Sequence, residues 1–174
     1  MFIILGGLPG CGKSTIAQPL AKRMKAVYLR IDSIEQGIRS SGLLASDADM
    51  GPAGYMAAYR VASDNLRLGH LVIADSVNPL EITRKAYRDV AVRAGVGFVE
   101  VECVCSDLAE HRKRVETRRS GVEGLTLPTW EQVATRHYEA WVQPHLQLDT
   151  ASLSVGESVE RILQAVSSAL PRNP

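Results

Sequence analysis

At 174 residues, 45% of them hydrophobic, the chain has the size of one compact domain and enough apolar material for a sizeable core. Its 20 Lys and Arg against 19 Asp and Glu leave a net charge of +1. That balance excludes a global field able to gather nucleic acid or an anionic membrane, so any anion site must be local.

The apolar run Phe2-Ile3-Ile4-Leu5 reads as a first strand and leads into Gly7-Leu8-Pro9-Gly10-Cys11-Gly12-Lys13-Ser14, a complete G-x-x-x-x-G-K-[ST] loop. Gly7, Gly10 and Gly12 let backbone N–H groups turn inward around phosphate oxygens, and Cys11 and Thr15 add further amides. Lys13 supplies a point charge for the β- and γ-phosphates and Ser14 a hydroxyl for Mg²⁺, while the N-terminus of the following helix favours the bound anion. The N-terminal apolar run is too short for a signal peptide or a membrane span, so a cytoplasmic protein is expected. Three cysteines fit that compartment. Cys103 and Cys105 share one face of a strand and read as small buried side chains, since a metal site needs more ligands.

Ile16, Leu20 and Met24 recur every four residues and predict a helix, in which Pro19 should cause a kink or a late regular start. A second strand, Val27–Ile31, is followed by Asp32, which either accepts the proton of an attacking hydroxyl or caps a helix beginning at Ile34-Glu35. Ser40–Gly51 reads as a loop. The third strand, Leu71–Ala74, ends on Asp75, a carboxylate placed either to hold Mg²⁺ or to cap the next turn. Asn78-Pro79-Leu80-Glu81 predicts N-cap, N1 proline and capping-box glutamate of a helix that runs to Gly95.

The fourth strand, Phe98–Cys105, carries Glu100 and Glu102 on one face, where salt bridges to a packed helix are expected. In the basic run Glu110–Arg119, Arg114 and Arg118 are i and i+4, so they share a helical face, and Ser120–Thr126 reads as a short lid-like segment. Cations there would offset the charge that spreads over a transferring phosphoryl group. A helix from Pro128 to Pro144 should bury Trp130, Val133, Ala134, His137 and Trp141, with His137 a core histidine. A fifth strand, Leu146–Leu148, precedes the capping box Ser154-Val155-Gly156-Glu157 and the apolar stripe Val159, Ile162, Leu163, Val166 and Leu170, stopped by Pro171. Strands alternating with helices predict an α/β fold with a parallel sheet covered on both faces. With neither repeats nor a linker, residues 1–174 read as one domain with a lid around residues 119–127.

Together, Gly7–Thr15, Arg30–Glu35, Val72–Pro79 and Cys105–Arg119 resemble the P-loop kinase group that includes polynucleotide 5′-kinases, zeta-type toxins, gluconate kinases and chloramphenicol phosphotransferases. The resemblance covers nearly the whole chain. It implies the P-loop NTPase three-layer α/β/α sandwich, a five-stranded sheet in the order 2-3-1-4-5, and an arginine-bearing lid. By position it makes Asp32 the acceptor-activating aspartate, Asp75 the third-strand acid and Arg118 the lid arginine, and it sets Asp149-Thr150 beside the adenine. One departure matters. The polynucleotide kinases carry an arginine three residues after the aspartate, whereas this chain has Glu35, an acid that would repel a nucleic-acid phosphate.

The expectation is therefore an ATP- and Mg²⁺-dependent kinase acting on a small-molecule hydroxyl, with Lys13, Asp32, Arg114 and Arg118 around the reacting groups. Asp32, Glu35, Arg39, Tyr55 and Tyr59 would face the acceptor, the last two on a helix that also carries Arg60. Glu35 favours a neutral or cationic acceptor. The alternatives are a polynucleotide 5′-hydroxyl kinase, which needs a basic groove, and an ATP-binding switch or toxin-like regulator.

Overall fold

The computed structural model describes residues 1–42 and 49–169. Its sheet has five parallel strands in the order β2-β3-β1-β4-β5, where β1 is Phe2–Gly6, β2 Val27–Arg30, β3 Val72–Asp75, β4 Phe98–Val104 and β5 Leu146–Asp149. All five predicted strands are present, each shifted by at most a residue at its ends. Central β1 explains the layering. Its alternate side chains Ile3 and Leu5 pack into one core, and Phe2 and Ile4 into the other, all fully buried. Burying each contributes roughly 1.5–3 kcal/mol, so this four-residue run alone joins the two layers.

Helices α1 (Lys13–Met24) and α7 (Val155–Ala169) cover the first face through Ile16, Leu20, Val159, Ile162 and Val166. The second face is covered by α3 (Ala53–Arg67) and α4 (Glu81–Arg93), whose Ala62, Leu66, Tyr87 and Val90 close that core. Helix α2 (Ile31–Ser40) follows β2 without a loop, α5 (Leu108–Thr117) follows β4, and α6 is the short turn Trp130–Ala134. The Ser154 box forms as expected, with Ser154 Oγ accepting from Glu157 N at 3.2 Å and Ser154 N donating to Glu157 Oε2 at 2.8 Å.

Several expectations are corrected. Helix α1 is regular from Lys13 through Pro19, so it does not start late. Helix α4 begins at Glu81, not at Pro79. Asn78 has φ 50 and binds Thr83 Oγ1 through Oδ1 at 2.8 Å, while the orphan N–H of Glu81 is capped from a distant segment by Glu139 Oε2 at 2.6 Å. Nor does a helix span Pro128 to Pro144. Helix α6 stops at Ala134, Trp130 and Ala134 are not buried, and His137 is 77% exposed at its side chain, 3.6 Å from Glu139. Beyond α6 the chain packs instead against Arg84, fully buried on α4. Its guanidinium donates to the carbonyls of Glu139 (2.7 Å) and Ala140 (3.2 Å) and lies over the Trp141 ring, so tertiary bonds hold this segment where helical ones were expected. The predicted loop Ser40–Gly51 and the end of the last stripe are affected differently. Ser40 closes α2, while residues 43–48 and 170–174, including Leu170 and Pro171, lie outside the described residues.

Candidate active site

Strand β1 delivers the chain at Gly6 to a loop that must pass tightly over β4. Gly7 has φ 134, and a Cβ there would stand 2.1 Å from the Cys103 carbonyl oxygen, so only glycine fits. Gly12, at φ 92, turns the chain into α1. Lys13 is buried and its Nζ donates to Leu8 O at 3.0 Å, folding the ammonium across the loop. His111 of α5 braces the loop from outside, its Nε2 lying 2.9 Å from Pro9 O. Nothing in the spacing of the basic run singles that histidine out. Cys11 and Gly7 face away from the large cavity described below, toward a small pocket beside Cys103 and Cys105. The three thiols are buried, and burial pushes that of Cys103 well up from its ordinary value.

Asp75, at the end of β3, is buried, and its Oδ2 accepts from Ser14 Oγ at 2.6 Å and from Tyr28 OH at 2.5 Å. Tyr28 is the functional candidate that sequence reasoning missed. It reads as an ordinary strand aromatic, and only the β2-β3 pairing brings its hydroxyl to the carboxylate. Burial first, then the Asp75 charge, hold the phenol well above its usual range, so it stays a donor. Among the described residues no group of three or more His, Cys, Asp or Glu could hold a metal by itself. A divalent cation here would take Ser14 and Asp75, hard oxygen donors suited to Mg²⁺, with phosphate oxygens and water completing its shell.

A cavity of about 1930 Å³ runs from this point across the carboxyl ends of the strands. Gly10, Gly12, Lys13, Ser14, Thr15, Asp75, Arg114, Arg118 and Thr150 line it toward the phosphate loop. Asp32, Glu35, Arg39, Tyr55 and Tyr59 line it at the other end, but Arg60 is exposed and outside it. Asp32 is not a cap. It lies in the first turn of α2, whose N-cap is Arg30, and Arg30 Nη2 contacts Asp32 Oδ2 at 3.2 Å. The segment from Arg118 onward reaches over this end. A Cβ on Gly121 would stand 3.5 Å from Arg30 Nη1, and one on Gly124 would stand 2.7 Å from Gln36 Nε2.

Arg114 is tied down by Glu110 (2.9 Å), by the Thr150 hydroxyl (2.9 Å) and by the Thr150 carbonyl (3.2 Å), and Thr150 Oγ1 in turn lies 3.0 Å from Cys11 O. The basic helix is thus fastened to the phosphate loop through Thr150. Asp149 does not line the cavity. Its carboxylate accepts from Ser106 Oγ (2.5 Å) and from the N–H groups of Ser106 and Ala151 (3.0 Å each), which hold its carboxyl below the usual range. Glu100 and Glu102 belong to the scaffold. Glu100 takes Arg88 of α4 at 3.0 and 3.2 Å, as expected, whereas Glu102 meets Tyr138 (3.2 Å) and Gln147 (2.9 Å) instead of a helix.

Comparison with known proteins agrees with this geometry. The sequence model of the AAA domain family matches residues 2–139. An adenylyl-sulfate kinase of Bacteroides fragilis is 32% identical, over 95% of this chain and 81% of its own length. An uncharacterised protein of Mycobacterium tuberculosis is 27% identical over 89% of this chain, which spans only 33% of that protein. Among solved structures, the Mycobacterium tuberculosis APS kinase in complex with AMPPNP and APS superposes with TM-score 0.68 at 23% identity, covering 95% of this chain and 96% of that one. A gluconokinase from Sinorhizobium meliloti gives 0.65 at 19% identity, covering 95% and 91%. No described helix is long and apolar enough to cross a membrane.

Proposed function

From a chain that belongs to the AAA domain family and has the P-loop kinase fold of a phosphotransferase, we infer that it moves the γ-phosphoryl group of ATP, with Mg²⁺, to a hydroxyl of a small molecule. One observation carries the reading: a single cavity joins the Lys13 loop and the Ser14-Asp75 pair to Asp32. In-line transfer needs both reactants in one enclosure with the charge-stabilising groups already placed.

The loop amides and Lys13 grip the triphosphate, and Arg114 keeps the loop and Thr150 in register. Ser14 and Asp75 would hold Mg²⁺, which would supply positive charge to offset that of the phosphates. Arg118 is half-buried near Asp32, with Nε lacking a hydrogen-bond partner among the described residues, and its role is to offset charge on the equatorial oxygens of the transferring group. Asp32 orients the acceptor hydroxyl and takes its proton, with Arg30 fixing the carboxylate. The segment 119–127 acts as the lid that excludes water.

The test is ADP release by the protein alone and with pooled metabolites, in the wild type and in Asp32→Asn. The expected result is acceptor-stimulated release that the substitution reduces by about a hundredfold or more, with nucleotide affinity retained. Transfer at the wild-type rate in Asp32→Asn would remove Asp32 from this role, and nucleotide binding with transfer to no acceptor would favour a switch instead.

A further inference from the structure

The phosphate loop is held from behind as well as from within. Its Leu8 carbonyl is used inside the loop, where Lys13 Nζ donates to it at 3.0 Å and Cys11 N at 3.3 Å. The carbonyls of Pro9 and Cys11 are taken instead by side chains from other elements. His111 Nε2 of α5 lies 2.9 Å from Pro9 O, and Thr150 Oγ1, just past β5, donates to Cys11 O at 3.0 Å. A carbonyl only accepts, so Nε2 is the ring nitrogen of His111 that carries a proton. His111 is also absent from the large cavity: it lines the small pocket on the far side of the loop, with Gly7, Leu8 and Cys11.

Peptide geometry carries this bond through to the ligand side. In a planar trans peptide the C=O of one residue and the N–H of the next point in opposite directions. A Pro9 carbonyl drawn back toward His111 therefore turns the Gly10 N–H forward, into the cavity that Pro9 and Gly10 line. The histidine is itself firmly set. It is buried, and Trp130, the first residue of α6, stands edge-on to its ring with centroids 5.3 Å apart and planes at 83°. A Cβ on Gly10 would stand 3.3 Å from His111 Cδ2 and 2.5 Å from Val115 Cγ2, so only glycine lets α5 lie close enough for His111 to reach the loop.

We propose that His111 is a positioning residue for the nucleotide: by holding the Pro9 carbonyl from behind, it presets the Gly10 N–H as a donor to the polyphosphate without touching the ligand. An N–H that already points at the anion need not be turned and ordered when the anion arrives, which is why such preorganisation strengthens binding. The proposal rests on the reading of the chain as a nucleotide-dependent kinase. It adds a residue about a hundred positions from the loop motif, on the same helix as Arg114.

The test titrates Mg-AMPPNP into isotope-labelled wild type, His111→Leu and His111→Gln, following affinity by calorimetry and the loop amides by NMR. Glutamine can present an N–H donor where Nε2 stands, and leucine cannot. In the wild type the Gly10 amide signal should move on binding. His111→Leu should bind about tenfold more weakly and lose most of the Gly10 movement. The Gly12 amide should still respond in that variant, because Cys11 O, in the same peptide, is tied by Thr150. His111→Gln should return affinity to within about threefold of wild type and restore the Gly10 signal. Wild-type affinity in His111→Leu overturns the proposal. So does equal loss of the Gly10 and Gly12 responses, or a defect that glutamine does not repair, since either marks His111 as packing only. Should His111→Leu fail to fold, the glutamine variant and the imidazole nitrogen spectrum of the wild type decide, and an Nε2 without a proton overturns the proposal. A wild type that binds no AMPPNP would instead overturn the nucleotide reading itself, which every other outcome leaves standing.

Discussion

The two ends of the cavity are built by different means. At the phosphate end, main-chain amides, glycines and a folded-back lysine come from one continuous stretch, and the side chains around it are tied to one another: Asp75 to Ser14 and Tyr28, Arg114 to Thr150, His111 to Pro9. At the acceptor end, side chains converge from α2, α3 and the segments on either side of α6, and the buried Nε of Arg30 has no hydrogen-bond partner among the described residues. A site that grips the same polyphosphate in every turnover can be finished within the fold. A site that distinguishes among acceptors keeps bonding capacity for the ligand, and that capacity appears as unsatisfied donors.

The comparison is broken most severely at Lys13. Lys13→Ala removes the ammonium but leaves the amides, and phosphoryl transfer should fall by about a hundred- to a thousandfold, measured as ADP release. A variant with near-wild-type turnover would mean that the phosphate end is not the finished machine described above. The next largest effect belongs to the scaffold outside the cavity lining. Arg84→Met takes the buried cation from the carbonyls of Glu139 and Ala140 and from the Trp141 ring, and should cost about 3 kcal/mol in denaturant unfolding. Trp141 fluorescence should shift as the 138–141 segment loosens, and an unchanged spectrum and midpoint would show that the segment is held by something else. Smaller still is Tyr28→Phe, which deletes one of two donors to Asp75 Oδ2. One hydrogen bond to a charged acceptor is worth about 1.5–3 kcal/mol, so Mn²⁺ binding to the nucleotide complex, followed by electron paramagnetic resonance, should weaken about tenfold or more while metal-free nucleotide affinity holds.

This division also governs what can be read from the chain alone. The P-loop, the five strands and the Ser154 box are local: each lies within a few consecutive residues whose spacing is fixed by a single period or turn, so sequence order suffices. Asp75 is legible for the same reason, as the acid ending a strand. The helix expected over Pro128–Pro144 stops at Ala134, and the segment beyond it is bonded to Arg84, some fifty residues away, a contact that no local period announces. The Asn78-Pro79 cap fails through Glu139, equally distant. The Tyr28 contact with Asp75 and the packing of Glu35 against Gly54 are invisible in the sequence because strand order and helix packing create them. Local chemistry is written in the chain, and the selective end of the site is written in the tertiary contacts.

The smallest expected effect tests that last point directly. Burial, with the nearby Asp32 charge second, raises the Glu35 carboxyl above its ordinary value, and Arg39 and Arg136 offset only part of the shift. The folded protein then holds the Glu35 proton more tightly than the unfolded chain does. Ionised Glu35 therefore opposes folding, and stability falls as pH rises from the ordinary carboxyl value, about 4.3, through the raised one. Glu35→Gln should unfold at a higher temperature than the wild type at pH 8, by less than about 1 kcal/mol because solvent screens a half-buried group, and the advantage should vanish below about pH 4. If the arginines instead overcompensated Glu35, the substitution would destabilise at pH 8 and the difference would shrink on acidification. Thermal melts of the two proteins across that pH range separate a carboxylate pressed onto Gly54 of α3 and only partly offset from one that anchors its cationic neighbours.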